Sequence, residues 1–485
     1  MRLSARALWT LVPAAVLLVA ACGDNDDSDP GPGGDAGEAG SPGGAGASGS
    51  GGNGAAGAGG NAGAPGNAGA SGSGDAGAGA GPGEAGAGGE AGGGSAGPIL
   101  DRPASLAYDC SLSRPMTLLD INPWVGGGLL PRAGGAFLPR VEGTLGTANR
   151  VVWSTLAATG ALGPDRLIHD AGDDFLGELS AAEGSDRFTL LWTQSTASVS
   201  GQLALAQVDA AGTVLTPAAP LNLSPAERSA PRLVATEQGY ALVWMEAGAT
   251  TNALRFVELD AEGEPVGAPR LVRQGSGLLQ PHDLVRFGDG FLLTYSHVDY
   301  AAQIQSTSYA LLGADGAVQG EPIELGQGWG GTSVLQRGDG LLVAWSEEGG
   351  EFDDESIYRV IRVAAIDATG QLIGEPQDLQ APVVNQENVD PRWVDLGDDV
   401  GLLWSQGSVI YFCAGCFPDN QLQFTVLDGD DFSRKSDVLE LASPTQFGLR
   451  GPRAVHEDGE IVVVANVTHH VDAEGASATI ECAPR

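Results

Sequence analysis

The sequence predicts an all-β fold built from repeated four-stranded units, and three observations predict it. An apolar run ending in Trp or Tyr recurs at a near-constant period. An Asp-x-x-Gly phrase recurs at the same period. No helical apolar periodicity runs through the region that holds them.

The first phrase reads Phe188-Thr189-Leu190-Leu191-Trp192. It returns as Tyr240–Trp244, Phe291–Tyr295, Leu341–Trp345 and Gly401–Trp404, and in degenerate form as Ile461–Ala465. The last residues of these copies stand 52, 51, 50, 59 and 61 residues apart. One step back from Trp192 lies Phe137-Leu138-Pro139-Arg140 behind Gly134-Gly135, a weak seventh copy. The recurring Trp192, Trp244, Trp345 and Trp404 are therefore read as core packing.

The second phrase reads Asp209-Ala210-Ala211-Gly212, Asp260-Ala261-Glu262-Gly263 and Asp367-Ala368-Thr369-Gly370. Asp at its first position accepts a nearby backbone N–H. Gly at its fourth supplies the positive φ that closes a type I turn with a bulge. Each unit is then strand A, a tight Gly/Asp turn, strand B, a longer loop, strand C, the Asp-x-x-Gly turn and strand D. Four strands per roughly 52 residues, repeated about seven times, is the pattern of a β-propeller.

Ring closure is legible too. The last unit, near Arg453–His456, Ile461–Val467 and Ala478–Cys482, has no fourth strand before the chain stops. The segment Ser105–Cys110 precedes the first unit and has no partner of its own. The N-terminal strand is expected to complete the last blade. Cys110 and Cys482 would then face each other and form a disulfide. Cys413 and Cys416, in a long loop, are expected to form a second, local disulfide. Zinc would need two further ligands, and a redox motif expects a helix start.

The N-terminus carries an address. Arg2 and Arg6 precede an apolar stretch from Ala7 to Ala20 that is short for a membrane span. It ends in Val19-Ala20-Ala21-Cys22, which resembles a bacterial lipobox, with Cys22 as the acylated residue. Residues 1–21 are read as the signal and 22–97 as a tether. From Gly31 to Gly97 there are 31 glycines in 67 residues. Such a composition cannot offset its ordering entropy and is expected to be disordered. It would span roughly 45 Å root-mean-square. Residues 98–485 form the propeller. The expected address is extracytoplasmic, at the outer membrane.

Charge excludes several functions. The 485-residue chain carries a formal net charge of −37. Nucleic acid and anionic lipid surfaces would be repelled, so the membrane partner is met through the lipid anchor only. Lys435 is the only lysine, leaving little room for Schiff-base or phosphate-loop chemistry. No dinucleotide loop, zinc-protease helix or placed nucleophile elbow is present.

Three features are candidate sites. Glu351, Asp353, Asp354 and Glu355, beside Glu347 and Glu348, form a dense acidic loop that could take Ca²⁺, although the spacing matches no calcium loop. No other cofactor is expected. Trp329 sits in a Gly-rich loop suited to a sugar ring or a protein partner. Arg232, His282, Arg392 and Arg453 each follow a proline at the expected start of an innermost strand. If the units align, they ring the channel mouth with positive charge, a place for a carboxylate or acidic sugar. His297-Val298-Asp299 and His469-His470-Val471-Asp472 are expected in loops.

Through these phrases, residues 100 to 485 resemble the bacterial envelope propeller lipoproteins. The resemblance implies a fold and not an activity. The expected function is a lipid-anchored binding or scaffold module for an envelope protein or glycan. The alternatives are a propeller lyase or hydrolase on acidic polysaccharide, with His282 as its base, and a surface spacer without a ligand.

Overall fold

The structure is a computed structural model. It describes residues 97–485 apart from 120, 122–123, 144–147, 197–199, 224–225, 300, 303, 329–330, 350–356, 410–419, 446–447 and 469–472. The signal, Cys22 and the tether lie outside the described residues, as do Trp329, Glu351, Asp353, Asp354, Glu355, Cys413, Cys416, His469, His470 and Asp472.

Seven antiparallel sheets form a ring, a seven-bladed β-propeller. Blade 1 holds Trp124–Gly127 and Leu130–Arg132, which both pair with Gly135–Glu142, and then Arg150–Ala157 and Arg166–Asp170. Blade 2 runs Phe175–Glu183, Phe188–Ser195, Gln202–Val208 and Val214–Pro220. Blade 3 runs Glu227–Ala235, Gly239–Ala247, Asn252–Asp260 and Pro265–Gly275. Blade 4 runs Leu278–Phe287, Gly290–Asp299, Ile304–Leu312 and Val318–Gln327. Blade 5 runs Thr332–Arg337, Gly340–Gly349, Tyr358–Ile366 and Leu372–Asp378. Blade 6 runs Gln386–Leu396, Asp399–Ser408, Gln421–Asp428 and Leu439–Leu441. Blade 7 runs Leu449–Glu457, Glu460–Thr468 and Ala473–Pro484, and Tyr108–Leu118 completes it from the N-terminal side. The first strand of each blade packs against the first strands of its neighbours and lines the centre.

The local chemistry is the one the phrases encode. In blade 2 the Asp209 carboxylate accepts the N–H groups of Ala211 and Thr213, each at 2.8 Å, and Gly212 takes φ 75°. Trp192, Trp244, Trp345 and Trp404 are each 0% exposed at the seams between blades. Burying each large side chain contributes about 1.5–3 kcal/mol. Blade 1 departs from the pattern. Its Arg140 stands, fully buried, where blades 2, 3, 5 and 6 place Trp. It pairs with Glu142 at 2.5 Å and Asp165 at 2.8 Å. An ion pair fills the seam in place of an indole.

Closure occurs as expected. Cys110 lies opposite Cys482 across the antiparallel pair of Tyr108–Leu118 with Ala473–Pro484, and the two sulfurs are bonded. His297 and Asp299 are not in a loop. They end the second strand of blade 4, where His297 Nε2 contacts the Ser276 carbonyl at 2.7 Å. The Asp299 carboxylate accepts the N–H groups of Ala301 and Ala302.

Candidate functional site

The proline-arginine phrases do not head the inner strands. They sit within them, at a β-bulge. In blade 3 the register shifts between Ser229 and Arg232, in blade 6 between Val389 and Arg392, and in blade 7 between Arg450 and Arg453. Proline has no N–H to give a ladder and is tolerated in a strand at a bulge or an edge. The residue before it is left-handed in all three: Ala230, Asp390 and Gly451 have φ 51°, 55° and 55°. The arginines therefore lie partway down the channel wall and not at its mouth.

The register also corrects one assignment. Arg232, Arg392 and Arg453 pair with Val243, Leu403 and Val464. Each of those residues directly precedes the Trp position. In blade 4 the residue in that register is Asp283, opposite Thr294, and His282 is the bulged residue one step before it. Each of these bulges inserts one extra inner-strand residue, but in blade 4 it falls after the proline, so the Pro-x phrase slips by one.

The same register position in other blades carries small acceptors. Ser180 Oγ accepts the Leu233 N–H of the next blade at 3.0 Å. Asp283 Oδ2 accepts the Val334 N–H at 3.0 Å, and Ser333 Oγ accepts the Trp393 N–H at 3.0 Å. These bonds latch one blade to the next at the inner wall. Sequence reasoning missed them, because a lone Ser or Asp in a strand carries no signal of its partner.

The three arginines behave differently. Arg232 donates from Nε to the His282 carbonyl at 2.5 Å and from Nη1 to the Pro231 carbonyl at 2.9 Å. Arg392 Nη1 reaches Asp283 Oδ1 at 3.6 Å, from blade 6 to blade 4. Arg453 is pulled well below the usual guanidinium range, to about 9. Burial is the first cause. The like charges of Arg392 and Arg232 follow, and Asp390 opposes them. The guanidiniums of Arg392 and Arg232, from blades 6 and 3, thus stand near enough to Arg453 of blade 7 to act on its charge. Each is half-buried.

His282 does not share that role. Burial, and secondarily Arg232, lowers it to about 3. Its Nε2 contacts Ser296 Oγ at 2.7 Å, and Ser296 leads on to Thr307 at 3.3 Å. His282 is wired into its own blade.

Beside the cluster, on blades 5 to 7, a second network braces the ring. Glu387 accepts from Arg359 at 2.9 Å, from Asn420 at 3.2 Å and from Arg450. Asp390 accepts the Gly451 N–H at 3.1 Å, and burial pushes its carboxyl up. Glu347 and Glu348, the described part of the acidic loop, belong to a strand and pair with Arg362 and Arg359. Among the described residues, no three His, Cys, Asp or Glu side chains converge as a metal site.

Comparison with known proteins adds nothing finer than the fold described above. No protein-family model matches the chain, and no curated protein matches it. Among solved structures it is similar to the polysaccharide lyase Uly1, with a TM-score of 0.46 and 10% identity over 75% of this chain and 90% of that one. It is similar to an α-L-arabinofuranosidase from Fusarium graminearum, with a TM-score of 0.41 and 10% identity over 62% and 92% of the two chains. The β-propeller domain of the Trilobed protease from Pyrococcus furiosus gives 0.37 and 12%, over 64% and 82%. Likeness this distant carries no activity across.

Proposed function

We propose that this protein is a lipid-anchored binding module of the cell envelope whose channel holds a carboxylate-bearing ligand, an acidic glycan. One observation carries the reading. Arg232, Arg392 and Arg453 bring three guanidiniums together inside a chain of net charge −37. Arginine forks match carboxylates with two parallel hydrogen bonds. A bound anion offsets the burial and the like charges that lower Arg453. The acidic exterior turns away polyanions that cannot reach the channel.

The enzyme reading is the second choice, for a physical reason. A general base works best with a pKa near the working pH. His282, at about 3, is a weak base and is engaged by Ser296.

The test is calorimetric titration of the purified chain with trigalacturonate and with its neutral methyl ester. Trigalacturonate is expected to bind and the ester not. Arg232→Ala, Arg392→Ala and Arg453→Ala should each weaken binding about tenfold or more, the scale of one charge-assisted bond. Equal binding of both sugars, or binding untouched by all three variants, overturns the reading. Release of an unsaturated uronate in the same mixture would favour the lyase.

A further inference from the structure

We infer that a second site, for a neutral saccharide, lies on blade 6 beside its junction with blade 5, apart from the arginine channel. A cleft of about 380 Å³ opens there, within the size range of small-molecule sites. Its lining is unusual in kind. Asn385, Gln386, Gln406, Gln421 and Gln423 bring five carboxamides to one concavity, with Glu440 as its only charged group among the described residues.

Gln386, Gln406, Gln421 and Gln423 come from three adjacent strands of one blade and share a face, and Asn385 directly precedes the first of them. Gln406 is paired with Gln421, and Gln423 stands opposite both Trp404 and Glu440. The set is braced from behind. Gln406 Nε2 donates to Asn388 Oδ1 at 3.0 Å and to Gln380 Oε1 at 3.3 Å, and Gln380 Nε2 donates to Gln386 Oε1 at 3.0 Å. Asn385 is fixed in a left-handed conformation, φ 63°, by the bond from its N–H to the Ile357 carbonyl of blade 5 at 2.9 Å.

Two features point to the ligand. Gln421 Oε1 is buried with no hydrogen-bond partner among the described residues, an acceptor that lacks a donor. Val383 and Val384, just before Asn385 in the chain, are 50% and 56% exposed, apolar surface next to it in sequence. A sugar offers both complements. Its hydroxyls donate and accept, and the C–H face of its ring covers apolar surface. No Arg or Lys and no aromatic ring is among the lining residues, so a phosphate finds no cation and a base no stacking partner. Glu440 repels a uronate. The match is a neutral sugar.

The test uses the full chain and four neutral hexasaccharides: cellohexaose, xylohexaose, maltohexaose and arabinohexaose. Binding is read by calorimetry and by shifts of the side-chain amide resonances. At least one sugar is expected to bind and to shift them. Gln423→Leu and Asn385→Gly should each lower its affinity about fivefold or more. Glycine accepts the left-handed backbone at Asn385, so that variant keeps its fold if the other fails. Arg453→Ala should leave this binding unchanged, which separates the site from the channel reading above. Absence of binding by all four sugars at about 10 mM overturns the inference, since that excludes even a millimolar site. So does binding that neither amide variant weakens.

Discussion

Ser180, Asp283 and Ser333 occupy the same register of their blades as Arg232, Arg392 and Arg453, and they do the opposite. The short side chains face the next blade and accept its backbone N–H. The arginines have no acceptor to offer, and their charge gathers at the channel. One backbone position thus serves as a latch in blades 2, 4 and 5 and, in the function proposed above, as a ligand group in blades 3, 6 and 7. A repeat fixes where a side chain stands. What it does there depends on whether it accepts, donates or carries charge.

The largest expected effect tests whether the arginine half depends on the ring being closed. Arg453 belongs to the blade that the N-terminal strand completes. Cys110→Ser with Cys482→Ser should lower stability by about 6 kcal/mol, the chain-entropy value for so long a loop. Chemical denaturation measures it. Trigalacturonate affinity of the still-folded variant should fall with it. A variant as stable as the parent would mean that strand pairing alone holds the ring.

The latch half is tested next. Ser333→Ala leaves the Trp393 N–H without its acceptor. Such a loss costs about 1–2 kcal/mol, readable as a lower denaturation midpoint. Anion affinity should not move. A matching loss of affinity would show that latch and ligand positions are one coupled unit.

Asp283 is where the halves meet, because it latches Val334 and also faces Arg392 at 3.6 Å. Asp283→Asn keeps an acceptor and removes the charge. Stability should change little. Trigalacturonate affinity should rise about threefold, the scale of a partly exposed pair no longer competing for Arg392. A fall in affinity would place Asp283 among the ligand contacts.

The two halves were not equally legible in the sequence. Asp209, Gly212 and Trp192 act within a few residues of themselves, so turns, strands and blade number show in the repeat. Cys110 and Cys482 showed closure because cysteines come in pairs. The Pro-Arg phrases placed three of the ring residues in one register. His282 was misaligned because a bulge placed after the proline leaves the sequence pattern intact and moves the backbone under it. Glu387 bonds Arg359 and Arg450, 28 and 63 residues away on other blades. Nothing local marks such partners. Amides such as Gln421 and Gln423 look like any solvated strand residue until the fold sets them side by side.

The smallest expected effect is a pH profile, and it separates His282 from the arginines. Burial beside Arg232 holds His282 neutral down to about pH 3. Binding profiles of the parent and of His282→Gln should therefore superimpose between pH 5 and 8. A parent midpoint near 6.5 that the variant lacks would return His282 to the channel and reopen the enzyme reading. Arg453 titrates at about 9, below its usual 12.5. A bound carboxylate favours its charged form, so affinity should fall as pH rises through 9. Folding has the other sign. The unfolded chain holds this proton more tightly than the native one, so the native state is penalised below pH 9. That penalty fades as pH climbs from 9 toward 12.5. Through Arg453, rising pH above 9 should weaken the anion complex while easing the cost of folding around it. Only a cation held there by the fold, against its neighbours, makes the two move apart.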